Sequence, residues 1–237
     1  MPGGYRERLV VATSNPGKLE ELRVLLAGLF AAHAPASPGH RPVEVVSVAE
    51  ALRNPPVVVE DGATFAENAV KKASAVAQAT LMLTVADDSG LEVDALGGRP
   101  GVRSARFAHA RATDSENNAA LLAALDALGD PVGAGDSGMS EGFRARFHCV
   151  LALVDPFTHG GQPRVVDGVC EGTITRTPRG SGGFGYDPLF VVAGSDKTMA
   201  ELAEGAKNRI SHRARALAAL RPLLEQALDE RASQLAR

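Results

Sequence analysis

The sequence predicts an α/β protein whose sheet is partly parallel and partly antiparallel. Strand and helix patterns alternate through the first half, with an apolar run at residues 9–13, a helical pattern at 18–29 and an Ala-rich helix ahead of an apolar run at 81–86. Strands separated by helices pair in parallel, because a parallel return needs a crossover. The strand patterns at 146–154 and 164–175 stand too close together for a helical crossover, so they should pair antiparallel. With 237 residues and no internal repeat, the chain reads as a single domain over residues 1–237, large enough to bury a full core.

Each element has its own local reason. Leu9-Val10-Val11-Ala12-Thr13 is a short apolar strand broken by Ser14-Asn15-Pro16-Gly17. Leu19, Leu22, Leu25, Leu26 and Leu29 then fall at helical spacing, with Glu20, Glu21 and Arg23 on the other face. Residues 31–42 read as a surface loop and 43–48 as a strand. Thr64 and Glu67 have the spacing of a capping box that opens a helix to about Thr80. The buried strand at 81–86 ends at Asp87-Asp88-Ser89-Gly90, and Asp114 or Ser115 starts a helix to about Leu128. Gly, Pro, Ser and Asp make 130–142 a second, mobile surface loop. A Gly-rich stretch at 179–187 leads into a strand at 189–192, and Ser211 caps a closing helix to about Glu230 with Pro222 as a bend point.

Composition excludes several classes. A net charge of −3 with no basic stripe argues against a nucleic-acid partner. Residues 1–8 lack the apolar core of a secretory signal, and no run approaches the ~20 apolar residues of a membrane span. A cytoplasmic location without a membrane partner is expected. Cys149 and Cys170 are too few for a disulfide framework and form no CxxC pair for zinc, so they are expected to be buried apolar thiols.

Five segments carry chemistry. Thr13-Ser14-Asn15-Pro16-Gly17-Lys18 lies between a strand and a helix, where unpaired N–H groups and a positive dipole end suit phosphate. It is not a Walker A loop, because Ala12 stands where that motif needs its first glycine and Leu19 where it needs Ser or Thr. An ordinary helix cap explains the same residues. Asp87-Asp88-Ser89-Gly90 follows a strand whose carboxyl end is a ligand position in open α/β sheets. Strand alternation would send only one of the two acids into a pocket, to hold Mg²⁺ or take a proton from water; a solvated Asx turn is the competing reading. Glu60 is a candidate second metal ligand, whereas Glu67 reads as the partner of Thr64 in the cap and Lys72 as a solvated helix lysine. In Gly183-Phe184-Gly185-Tyr186-Asp187-Pro188, two aromatics of a chain with only 4% of them sit on a Gly-rich loop, as a base-stacking platform or as core residues of a bulge. Lys207-Asn208-Arg209-Ile210-Ser211-His212-Arg213 reads as a helix start, where cations oppose the dipole unless an anion compensates.

Together these segments resemble the inosine/xanthosine triphosphate pyrophosphatase family from Leu9 to about Leu220, in the family's order. The matching motifs are Ser14-Asn15-Pro16-Gly17-Lys18, Phe65-Ala66-Glu67-Asn68-Ala69 with Lys72, Asp87-Asp88-Ser89-Gly90-Leu91, Pro100-Gly101 with Ser104-Ala105-Arg106, the Gly183 to Pro188 stretch, and Ile210-Ser211-His212-Arg213. The loops at 31–42 and 130–142 are longer than the family's.

The resemblance implies a two-lobed fold with a long mixed sheet flanked by helices, a cleft between the lobes, and a homodimer. It implies hydrolysis of non-standard purine triphosphates such as ITP, dITP and XTP to the monophosphate and pyrophosphate, with Mg²⁺ as cofactor. By position, Asp88 would be proton acceptor and metal ligand, and Glu60 a further metal ligand. Thr13, Ser14, Asn15, Pro16, Gly17 and Lys18 would hold phosphates, and Ser89 would contact the substrate. Phe184, Gly185, Tyr186 and Asp187, with Lys207, His212 and Arg213, would bind the base and the rest of the nucleotide. Two alternatives stay open: a sister enzyme group that hydrolyses other nucleotides, including modified pyrimidines, and a non-catalytic nucleotide sensor, against which the acidic pair Asp87-Asp88 speaks.

Overall fold

The computed structural model describes residues 7–31, 42–129 and 142–235. Most of the expected loops at 31–42 and 130–142 therefore lies outside the described residues. In chain order the elements are β1 (Glu7–Ala12), α1 (Pro16–Ala31), β2 (Val43–Ser47), α2 (Val48–Ala51), α3 (Phe65–Thr80), β3 (Leu83–Val93), α4 (Asp114–Asp126), β4 (Phe143–Val154), β5 (Arg164–Ile174), β6 (Phe190–Val192), α5 (Glu204–Ile210) and α6 (His212–Leu235). Six strands form one sheet in the order β2-β1-β3-β4-β5-β6. β1 pairs parallel with β2 and β3, and β5 pairs antiparallel with β6, so the sheet is mixed as the sequence predicts.

The described residues up to Asp88, with Val150–Asp167 and Ala216 onward, form one unit. Its centre is β1, where successive residues Leu9, Val10 and Val11 are all fully buried, because both faces are covered. α1 contributes Leu22 and Leu26, each of which gains roughly 1.5–3 kcal/mol from full burial. At the other end of this unit, Arg231 of α6 donates to Glu7 of β1 at 2.7 Å and to Asp155 at 2.9 Å.

Ser89–Cys149 and Gly168–Arg215 form the second unit. Its core joins Leu91 and Val93 of β3, Leu121 and Leu125 of α4, Phe143 and Phe147 of β4, and Phe190 of β6. Cys149 and Cys170 are both buried free thiols, as expected, and burial pushes the Cys170 thiol up to about 11. Arg146 pairs with Asp94 in this unit.

Several boundaries differ from the sequence reading. Ser47 ends β2 and caps the one-turn helix α2 through a capping box with Glu50, a signal hidden by the valine run before it. α6 continues to Leu235 with Pro222 inside it. The largest difference is β3, which runs from Leu83 to Val93, so Asp87-Asp88-Ser89-Gly90 lies within the strand rather than at its end. The reason lies in the neighbour. The β1 ladder ends at Ala12 paired with Ala86, where β1 turns away into the loop at 13–15, so Asp87 is the first β3 residue past the parallel pairing. The acids do sit at a carboxyl end, that of β1, although their own strand continues.

Candidate active site

In the first unit the loop from β1 to α1 is built by local capping. Asn15 accepts the Lys18 N–H on its side-chain oxygen at 3.1 Å and the Leu19 N–H on its carbonyl at 3.0 Å, and Thr13 Oγ1 accepts the Asn15 N–H at 3.2 Å. Pro16 opens the helix, where its missing N–H loses nothing. Ser14 and Pro16 are exposed, while Thr13, Asn15, Gly17 and Lys18 are half-buried. The helix-cap reading of Asn15 therefore holds, and the cap aims the first turn of α1 at the end of the parallel ladder.

Lys18 reaches both acids. Its ammonium lies 2.6 Å from Asp87 Oδ1 and 4.0 Å from Asp88 Oδ1. The expectation that only one acid would enter the site is thus corrected: strand alternation separates the two side chains, but Lys18 has a stem long enough to meet both. Asp87 is fully buried and Asp88 nearly so.

α3 supplies the other cation. The helix starts at the Thr64 cap, whose hydroxyl accepts the Glu67 N–H at 3.2 Å, while Glu67 Oε2 accepts the Ala63 N–H rather than that of Thr64. Its buried side comprises Phe65, Asn68, Ala69, Lys72, Ala73, Val76 and Ala77. Lys72 is therefore not the solvated lysine expected from the sequence. Its ammonium lies 3.0 Å from Glu60 Oε2 and 3.5 Å from Asp88 Oδ1, and Asn68 Nδ2 donates to Asp88 Oδ2 at 3.0 Å. Asn68 and Lys72 stand in a matching motif but had no expected role in the site. The signal was there: a lysine inside an apolar helical stripe must be paired, because an isolated buried charge is very costly.

Asp88 thus contacts two ammonium groups and an amide. Burial raises its pKa above the ordinary carboxylate value; Lys72, Lys18 and Asn68 pull it down less, and Glu60 adds to the rise. Three carboxylates, Glu60, Asp87 and Asp88, meet the ammonium groups of Lys18 and Lys72. Among the described residues, no group of three or more His, Cys, Asp or Glu side chains forms a ready metal cage. Glu60 and Asp88 nevertheless converge on one cation, Lys72, as hard oxygen donors. That donor set fits Mg²⁺, which takes one or two carboxylates and leaves its other positions to water and phosphate.

In the second unit the Gly-rich loop carries a different cluster. Asp187 Oδ2 accepts the Phe184 N–H at 3.2 Å and the Lys207 ammonium at 2.8 Å. A Cβ on Gly183 would stand 1.9 Å from Asp187 Oδ2 at φ +74°, so only glycine fits there. The half-buried Phe184 ring has Lys207 Nζ at 5.4 Å and Arg213 Cζ at 5.2 Å from its centre. Arg213 also donates to Ser89 Oγ at 2.8 Å. The two aromatics part here. Phe184 meets cations at the loop, while Tyr186 is buried in the core with its hydroxyl on the Ser104 carbonyl at 2.9 Å. Gly185 lies between them at φ +63°.

The segment around Lys207 is corrected too. Lys207 and Arg209 lie in the last turn of α5, where cations complement the dipole, and only His212 and Arg213 open a helix, α6, with Ser211 capping Ala214. His212 is buried and stacked on Phe147 with ring centres 4.9 Å apart. The structure thus gathers Lys18, Glu60, Asp87 and Asp88 with Lys72 in one unit, and Ser89, Phe184, Asp187, Lys207 and Arg213 in the other.

Comparison with known proteins gives a consistent picture. A profile of the Ham1 family matches residues 9–223. A dITP/XTP pyrophosphatase of Geobacillus kaustophilus is 48% identical over 90% of this chain and 92% of its own length, and one of Geobacter sulfurreducens is 46% identical over 90% and 94%. Among solved structures, a HAM1 protein of Coxiella burnetii superposes with a TM-score of 0.73 at 38% identity, covering 93% of this chain and 99% of its own.

Proposed function

The chain belongs to the Ham1 family, and on that premise we propose that it hydrolyses non-standard purine triphosphates (ITP, dITP and XTP) to the monophosphate and pyrophosphate. The observation that carries the reading is the buried cluster in which Lys18 and Lys72 both approach Asp88. A pure sensor has no need of a buried carboxylate with a raised pKa; a hydrolase uses one as a base.

In this reading Lys18, Lys72 and the first turn of α1 hold the triphosphate, which carries about four negative charges. Asp88 orients a water toward the α-phosphorus and takes its proton as the new P–O bond forms. The bond to the departing pyrophosphate breaks, and Lys18 balances the charge on the leaving group. Asn68 and Lys72 hold the Asp88 carboxylate in place for that transfer. Glu60 and Asp88 are the residues that would hold Mg²⁺, which when bound supplies charge neutralisation on the phosphates.

The base falls to Phe184 with Lys207 and Arg213. Stacking on an aromatic ring is worth ~1–3 kcal/mol per base whatever the base. Selectivity then needs donors: hypoxanthine and xanthine present an acceptor at C6 where adenine presents an amino donor. A donor facing C6 gains a bond to hypoxanthine or xanthine that the adenine amino group cannot accept, a difference of about 1–3 kcal/mol. The proposal includes a homodimer acting in the cytoplasm, which the family resemblance supports. No helix among the described residues is long and apolar enough to cross a membrane.

The test is pyrophosphate release from ITP, dITP, XTP, GTP and ATP, with Mg²⁺ and with chelator. Release from the first three, suppressed with ATP and abolished by chelation, is expected. Equal rates on ATP would remove the selectivity, activity in chelator would remove the metal, and binding without release would leave a sensor.

A further inference from the structure

We propose that Asp114 and Asn118, on the opening turns of α4, are positioning residues that fix the Phe184 ring for base recognition; this rests on the assignment of the base to Phe184 made above. Both act on one residue of the Gly-rich loop. Asp114 Oδ2 accepts the Gly185 N–H at 2.7 Å, and Asn118 Nδ2 donates to the Gly185 carbonyl at 3.1 Å. Four residues apart on a helix, the two side chains share a face and meet the loop as a pair.

Asp114 holds the peptide plane next to Phe184, and Asn118 holds the one after it, between Gly185 and Tyr186. The Phe184 carbonyl accepts the Asp187 N–H at 3.3 Å, and the N–H of the same peptide unit, that of Gly185, goes to Asp114. A peptide held at both its oxygen and its nitrogen cannot rotate without breaking two bonds, one of them charge-assisted and so the stronger kind. The clamp has a reason to exist. The loop has positive φ at Gly180, Gly183 and Gly185, and glycines leave a chain many conformations unless contacts remove them. With the peptide fixed, the Phe184 ring stands against Lys207 and Arg213 before the nucleotide arrives, so little ordering remains for the base to impose. α4 is suited to the task because Thr113 and Glu116 close its first turn with a capping box, so Asp114 projects from a fixed position.

The experiment is a double-mutant cycle on the full chain with dITP as substrate. Asp114→Ala and Asn118→Ala are expected to raise KM by roughly tenfold each with kcat within about twofold, the pattern of lost binding rather than lost chemistry. Asp114→Asn, which keeps an acceptor oxygen, should recover much of the loss. In a Phe184→Ala background the Asp114→Ala effect on KM should vanish, because nothing remains to be positioned. If Phe184→Ala itself leaves KM unchanged, the base assignment falls and the proposal with it. If Phe184→Ala raises KM but Asp114→Ala adds its full effect on top, the assignment stands and the clamp is overturned. Equal losses in kcat and thermal midpoint in both backgrounds would make Asp114 merely structural and overturn it as well.

Discussion

Asp88 is surrounded by Lys18, Lys72, Asn68 and Glu60 in a space nearly closed to water, and its titration is the property that links its environment to its role. Burial opposes the charged form more than the two ammonium groups favour it, so the folded pKa lies above the unfolded value of about 3.9. The sign follows: Asp88 contributes stability that is fully present below that unfolded value and is lost as pH rises through the folded pKa. Following the Asp88 carboxyl carbon by NMR in the metal-free protein should give a midpoint above that of an ordinary Asp; a midpoint at or below it would contradict the account. Asp88 and Lys18 were legible in the sequence because they sit in short motifs between predictable elements. Lys72 and Asn68 were legible as motif residues but not as site residues, because a polar residue on a helix reads as solvated until its stripe is checked for apolar neighbours. Tyr186 and Phe184 share one motif and could not be told apart, since whether a ring enters a core depends on what packs over the loop.

At the scale of elements, helix starts were the most legible feature. Thr64 and Ser211 cap helices as read, and α4 starts at Asp114 on a Thr113 cap that the reading did not name; a side-chain oxygen three residues before an N–H is a local arrangement that needs no tertiary contact. Strand ends were less legible. β3 passes through its acidic pair because its partner on one side stops at Ala12, a fact that belongs to β1. The Thr113 cap is a test at this scale. Thr113→Ala removes the acceptor for the Glu116 N–H and should cost about 1 kcal/mol of stability in denaturant unfolding. The reciprocal bond to the Thr113 N–H lowers the Glu116 pKa, so its share is present at neutral pH and is lost as pH falls through the folded value. A Thr113→Ala variant as stable as the parent would contradict this reading of the cap.

For the whole molecule, fold class and strand pairing followed from the spacing of apolar runs: helices between strands gave the parallel half, and a gap too short for a helix set β4 beside β5. The pairing of Arg231 with Glu7 and Asp155 was not legible, because it joins residues far apart in the chain through the sheet. The same holds for the triad of carboxylates and two ammonium groups, drawn from β1–α1, the segment before α3, α3 itself and β3. The molecule as a whole brings these segments to one buried place, and the chemistry assigned to it depends on that convergence.

The most direct measurement is pyrophosphate release from dITP by Asp88→Asn, compared with the parent at saturating substrate and Mg²⁺. Asn keeps the shape and an acceptor for Lys72 but cannot take a proton. The account predicts a loss of turnover on the order of 10²–10⁴-fold with the thermal midpoint preserved; a folded variant that turns over at close to the parent rate would contradict it.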